Sequence, residues 1–208
     1  MNHVKIKEKA RQVLKKNMWN YWKGSIVVGV TILIISSLLA LIIANSNNEL
    51  VNSILTFVTI LLITPLTFGF TNYVMEIVRG DDFCLDDLIL IYKTAIPIWV
   101  LTILVVTFTT LWSLLFIIPG IIATIRYSMT TYIYLDKNLE TTECLQESKK
   151  LIYGYKKDYF IFKLSFLGWI VISCLTAGLL LIYVVPYIVI SQIVYYDELK
   201  LCKKRLTK

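Results

Sequence analysis

The run LLFIIPGIIATIRYSM, residues 114–129, places a Pro-Gly pair inside an apolar stretch and follows it with an arginine, Arg126. The sequence on both sides decides the fold class. From 94 to 135 the one charged residue is Arg126. That span is roughly twice the ~20 apolar residues that carry a helix across a ~30 Å hydrocarbon core, so it has to cross, turn and return. Proline has no amide hydrogen and a helical φ, which suits the first turn of a helix. Pro119 therefore marks the outer part of the returning leg, and Gly120 lets a neighbouring helix approach closely.

Further charge-free runs cover 24–48, 50–75 and 164–196. The first two fit one crossing each, while 159–199 is again about two crossings long. The chain is 57% hydrophobic and 17% charged, with a mean hydropathy of +0.71; a soluble domain carries about 25% charged residues. Helices that are apolar all round leave no face for water. The expected fold is all-α: a polytopic membrane protein forming one membrane domain, 1–208, with six transmembrane helices as three tandem hairpins, each preceded by a cytoplasmic amphipathic helix. The basic segment before Gly24 is too long for a signal-peptide n-region, and the apolar run after it is long enough to span.

Orientation follows from the 21 Lys and Arg. The expected outer segments, near 45–52, 110–118 and 176–183, contain none of them. Basic residues beside helix ends stay on the cytoplasmic side, so both termini are expected there. Cys84, Cys144 and Cys202 then face reducing cytoplasm and Cys174 sits within a helix. No CxxC spacing occurs and the one histidine is His3, a pattern that favours neither a disulfide framework nor a zinc site.

Three segments carry apolar stripes at helical spacing: Ile6, Ala10, Val13, Leu14 and Met18; Leu85, Leu88, Ile89 and Tyr92; and Leu145, Ser148, Ile152, Tyr155 and Tyr159. Such stripes either insert into an anionic inner leaflet or rest on the bundle as connectors. Each precedes an apolar hairpin, which suggests internal repeats over 1–80, 81–137 and 138–208. In the outer two, an acid follows the return-leg proline at the same distance: Glu76 after Pro65, Asp197 after Pro186. Pro65 and Pro186 are expected to start or kink their legs, as Pro119 does.

Arg126 is the main candidate site. Counted back from Asp136 at 1.5 Å per residue, it lies ~15 Å from the inner boundary. A central arginine costs at least ~2.5 kcal/mol to insert. It either pairs with Glu76 or Asp197, joining two repeats, or snorkels to lipid phosphate or water alone. Trp19, Tyr21 and Trp22 are expected as anchors in the inner interface, and Lys163 as a residue that snorkels to the surface.

The segments LWSLLFIIPGIIATIRYSMTTYIYLD, CLQESKKLIYGYKKDYFIFKLSFLGWIVISCLTAGLLLIYVVPY, PLTFGFTNYVMEIVRG and LKKNMWNYWKG resemble a family of bacterial integral membrane proteins, domain-of-unknown-function family 975. The resemblance implies a polytopic helical protein of the bacterial cell membrane and brings no established activity. Where that family often has a basic residue soon after IPGII, this chain has Ala123 and then Arg126. No HExxH, GxSxG or phosphate-cradling glycine loop occurs. The acidic cluster Asp81, Asp82, Asp86 and Asp87 reads as a solvated helix start. The expected function is therefore non-enzymatic and cofactor-free. Its role is envelope homeostasis, regulation or protection against membrane-active peptides through anionic inner-leaflet lipid, or through a membrane or cytoplasmic protein partner. Nucleic acid is not expected, because anionic headgroups account for the net charge of +7. The rival class is a small transporter or channel, favoured by repeats and an intramembrane arginine.

Overall fold

The structure is a computed structural model that describes residues 2–46, 48–81, 87–176, 178 and 180–206. These residues form helices, with no strand among them. Helix α1 (His3–Ala44) begins at the Asn2 cap, whose side chain accepts from the Val4 and Lys5 amides, and kinks at Asn17 (φ −120°, ψ 19°). The kink lets the basic start and the apolar span share one helix. Helix α2 (Glu49–Arg79) is capped by Asn48 and stops at Gly80, whose φ of 79° is left-handed and favours glycine. A short α3 (Asp87–Leu90) and a 3-10 turn (Ile91–Thr94) lead into α4 (Ala95–Leu115). Then follow α5 (Ile117–Tyr127), α6 (Thr130–Lys137), α7 (Thr141–Ile152), α8 (Lys156–Leu164), α9 (Leu167–Leu175) and α10 (Leu181–Leu206).

Three helices are long and apolar enough to cross a membrane: His3–Ala44, Glu49–Arg79 and Ile91–Leu115. The second half of the chain is more broken than the apolar runs imply. At ~1.5 Å per residue, α5 is about 16 Å long and α9 about 13 Å, each short of the ~30 Å hydrocarbon core. The break after α5 has a local cause. Ser128 Oγ donates to Ile125 O at 2.8 Å, and Ser148 Oγ of α7 donates to Arg126 O at 2.7 Å. Hydroxyls thus serve two carbonyls at the end of α5.

The core gathers at one end of the bundle. Ile6, Ala10 and Leu14 of α1, Tyr73 and Ile77 of α2, and Tyr187 to Leu199 of α10 belong to one buried cluster. At the other end Leu33, Leu50, Leu114, Ile117 and Leu175 are largely exposed. The amphipathic stripes fall on the buried side of this division. Ile6, Ala10, Leu14, Leu88, Leu145, Ser148, Ile152 and Tyr159 are buried, so these stripes rest on the protein's own bundle. Of the second stripe, Leu85 lies outside the described residues, as do Asp82, Cys84 and Asp86 of that segment.

The three return-leg prolines occupy two kinds of position. Pro119 lies in the first turn of α5, whereas Pro65 and Pro186 lie inside α2 and α10. An internal proline leaves the carbonyl four residues earlier without its helical donor. That carbonyl, Leu61 O, accepts from Trp99 Nε1 at 2.9 Å, and Leu62 O beside it accepts from Tyr92 Oη at 2.6 Å. Pro65 thereby fastens α4 and its leading turn to α2.

Close approach of α1 to α2 depends on Gly24. A Cβ there meets Tyr73 Cε1 at 2.4 Å, and the ring is held by its hydroxyl, which donates to Asn20 O at 2.7 Å. Gly120 is equally tight: a Cβ meets Ser113 Oγ at 2.4 Å. Gly29, on the same helix as Gly24, faces open space. Overpacking costs about 1–3 kcal/mol, so Gly24→Ala should lower the melting temperature in detergent by roughly 2–12 °C. Gly29→Ala should leave it level or raise it. Equal shifts for the two variants, read by fluorescence-detected melting, would remove the close contact from the account.

Candidate functional site

The charged site centres on three consecutive residues of α10. Successive helical residues are turned about 100° from one another, so Tyr195, Tyr196 and Asp197 point in three directions. Tyr195 Oη donates to Asp158 Oδ2 of α8 at 2.9 Å. Tyr196 Oη donates to Asp136 Oδ2 of α6 at 3.0 Å. Asp197 Oδ1 accepts from Arg79 Nη2, at the end of α2, at 3.0 Å. Both tyrosines are fully buried.

The guanidinium of Arg79 has a second partner, with Nη1 2.9 Å from Asp136 Oδ1. Lys200, one turn along α10 from Tyr196, completes the set through Asp136 Oδ2. The Asp136 side chain is only 10% exposed. Burial alone would raise its pKa; the Lys200 ammonium, the Arg79 charge and the Tyr196 hydroxyl outweigh that and hold it below the usual carboxylate value. Asp158 also receives His3 of α1, whose Nε2 lies 3.0 Å from Oδ1. The ends of α1, α2, α6 and α8 are thus tied to one stretch of α10. These contacts hold helices to one another.

The expected site residues are distributed differently from the sequence reading. Asp197 pairs with Arg79 and not with Arg126. No ion pair joins Arg126 to Glu76 or Asp197 among the described residues. The fourth crossing had been treated as one straight helix up to Asp136, and the break at Ser128 and Met129 voids that measure. Arg126 instead ends α5 half-buried, close enough to Lys156 for its charge to depress that ammonium, after burial. Glu76 Oε1 accepts from Asn72 Nδ2 at 2.6 Å. It lines an open groove of about 620 Å³ together with Leu90, Lys93, Tyr134 and Asn138.

The three aromatic anchors also separate. Trp19 is 71% exposed, with Lys23 Nζ 5.8 Å above its ring. Tyr21 is buried, edge-on to Trp22 at 6.0 Å and to Phe70 at 5.6 Å. Trp22 is half-buried against the same core. The Gly24 contact draws α1 onto α2 here, and Tyr21 packs into the core. Arg79 and Asp136, which dominate the site, were not singled out from the sequence. Their signal was faint: Asp136, Asp158 and Asp197 each stand within two residues of a tyrosine.

Residues 114–203 match the family model described as "Protein of unknown function (DUF975)". The match takes in the IPGII and LSFLGW segments and, within the charged site, Asp136, Asp158, Tyr195, Tyr196, Asp197 and Lys200. The PLTFGF and NMWNYW segments, with Arg79 and His3, lie outside it. The chain matches no curated protein and no solved structure.

Removing one partner of a buried ion pair is expensive, about 3 kcal/mol, so Asp136→Asn should lower the melting temperature by roughly 6–12 °C near neutral pH. The pH dependence carries a definite sign. A carboxylate with a depressed folded pKa contributes stability above its unfolded value, ~3.9, and loses it as pH falls through the folded value. Wild type should therefore lose more stability than Asp136→Asn on acidification below about pH 4. Parallel pH–melting curves for the two proteins would contradict this role of Asp136.

Proposed function

We propose that this chain is a non-enzymatic multi-pass protein of a bacterial cell membrane that couples its helical bundle to anionic lipid of the inner leaflet. Its biological role would be envelope homeostasis, regulation or protection against membrane-active peptides. The observation that carries the reading is the division of surface. Large apolar side chains are exposed at one end of the helices, as at Leu33, Leu114 and Leu175. At the other end α1 buries its apolar stripe and exposes Lys5, Lys9, Arg11, Lys15 and Lys16. An exposed apolar belt is a cost in water and none in lipid. A basic face beside it meets an anionic leaflet favourably, by about 1 kcal/mol per residue near the surface.

In this reading six crossings form three hairpins, with both termini cytoplasmic. The fourth crossing is composite, α5 continued by the start of α6. The fifth is α8 from Tyr159 onward, continued by α9. Lipid engagement falls to exposed basic residues, because the apolar stripes are already spent on the core. A membrane or cytoplasmic protein remains the second kind of partner.

Topology is tested with single cysteines in a chain whose own four are replaced. A membrane-impermeant maleimide applied to intact cells should label Asn45→Cys and spare Arg205→Cys until the membrane is permeabilised. Labelling of both, or of position 205 alone, would overturn the six-crossing arrangement. Proteoliposomes test the class: specific, saturable flux of any solute would replace this reading with a transporter.

A further inference from the structure

The cations of the chain divide by whether a carboxylate pairs with them. Lys9, Arg79, Lys137, Lys150 and Lys200 each have a carboxylate within 4 Å. Arg126, Lys156 and Lys163 have none among the described residues. The nearest acid in sequence, Asp158, is turned to His3 and Tyr195. Lys163 lines a groove, and Arg126 and Lys156 adjoin residues that line it. That groove, of about 240 Å³, is lined by Lys163 with Ile121 and Ile125 of α5, Phe160 and Leu164 of α8, and Leu167 at the start of α9. Lys156 precedes Phe160 by one turn on the same helical face, and Arg126 directly follows Ile125. Arg126 and Lys156 lie close enough for like-charge repulsion.

The groove also has a direction. Arg126 and Lys156 stand where α5 ends and α8 begins, which is the end nearer the basic surface. Lys163 leans the same way, its Nζ 5.1 Å over the ring of Tyr159 one turn back. The far end, at Ile121 and Leu167, is apolar and exposed. Positive charge at the inner end and apolar wall beyond it is the polarity of a phospholipid in the inner leaflet. Arg126 and Lys156, close together with no carboxylate paired to either, repel one another, and an anion between them relieves this.

We propose that the groove between α5 and α8 binds one anionic glycerophospholipid, its phosphate held by Arg126, Lys156 and Lys163 and one acyl chain lying along Ile121, Ile125 and Leu167. This rests on the membrane reading above and adds to it a specific partner and seat. The guanidinium grips phosphate oxygens bidentately and the two ammoniums supply point charges, while burial of acyl methylenes favours a lipid over a free phosphate.

The test titrates the detergent-purified full chain with phosphatidylglycerol, phosphatidylcholine or inorganic phosphate and follows the melting temperature. Phosphatidylglycerol at a hundredfold excess over Kd should raise it by roughly 5–10 °C, and the other two should do little. The triple variant Arg126→Gln/Lys156→Gln/Lys163→Gln should lose most of that shift. Ile121→Trp, which fills the apolar end from an exposed position and keeps every charge, should lose it too, so the outcome does not hang on one variant's folding. Lys15→Gln/Lys16→Gln should keep the full shift. A full shift in the triple variant or in Ile121→Trp would overturn the site, as would an equal shift with inorganic phosphate. An equal loss in Lys15→Gln/Lys16→Gln would mean diffuse attraction to the leaflet, and would overturn the seat while leaving the membrane reading intact. Failure of the maleimide topology would remove that reading independently.

Discussion

The rest of the structure depends on the triple projection of Tyr195, Tyr196 and Asp197 from α10. Because adjacent side chains diverge by about 100°, one short stretch reaches α8 through Asp158, α6 through Asp136 and α2 through Arg79. Buried carboxylates must be paired or hydrogen-bonded, so each acid fixes the element that carries it. Asp136 does this most fully, accepting from Arg79, Tyr196 and Lys200 together.

The two ends of the bundle obey different physics. Around α10 the core is aromatic and tightly tied, with Tyr159 and Tyr195 rings 5.0 Å apart and Phe162 and Tyr195 rings 4.8 Å apart. At the apolar end, burial between helices gains little once lipid is the alternative solvent. Contact there is set by small residues and by carbonyls left free within a helix. Gly120 against Ser113 and Trp99 on Leu61 O are the two clearest instances. Each is a steric or polar constraint, and each works in hydrocarbon.

Much of the architecture was legible in the sequence. The charge-free runs pointed to an all-helical chain, and the three helices long and apolar enough to cross a membrane coincide with the first three of them. The Asp197 position was found through its spacing from Pro186; its partner was not. Locating Arg126 required a straight helix from Pro119 to Asp136, and hydroxyls of Ser128 and Ser148 that cap carbonyls near its middle leave no trace in hydropathy. Arg79 looked like an ordinary basic helix end. Tyr21 looked like its neighbour Trp19, because a two-residue offset that turns one ring inward and the other outward is decided by packing against Tyr73 and Phe70. Ile6, Ala10 and Leu14 lie on one buried face as expected, while the stripe from Leu145 to Tyr159 breaks at the Gly154 turn between α7 and α8; periodicity alone shows neither that break nor whether lipid or protein covers a stripe.

The central claim is that α10 couples elements distant in sequence, and hydrogen exchange in bilayer nanodiscs tests it most directly. Wild type should be compared with Arg79→Gln/Asp197→Asn, which removes the tie between α2 and α10 without leaving a lone charge on either side of it. The account predicts a joint loss of amide protection in the last turns of α2, in α6 and in α10 beyond Tyr195. The apolar spans of α1 and α4 should remain protected. Loss confined to α2, with α6 and α10 unchanged, would contradict the coupling.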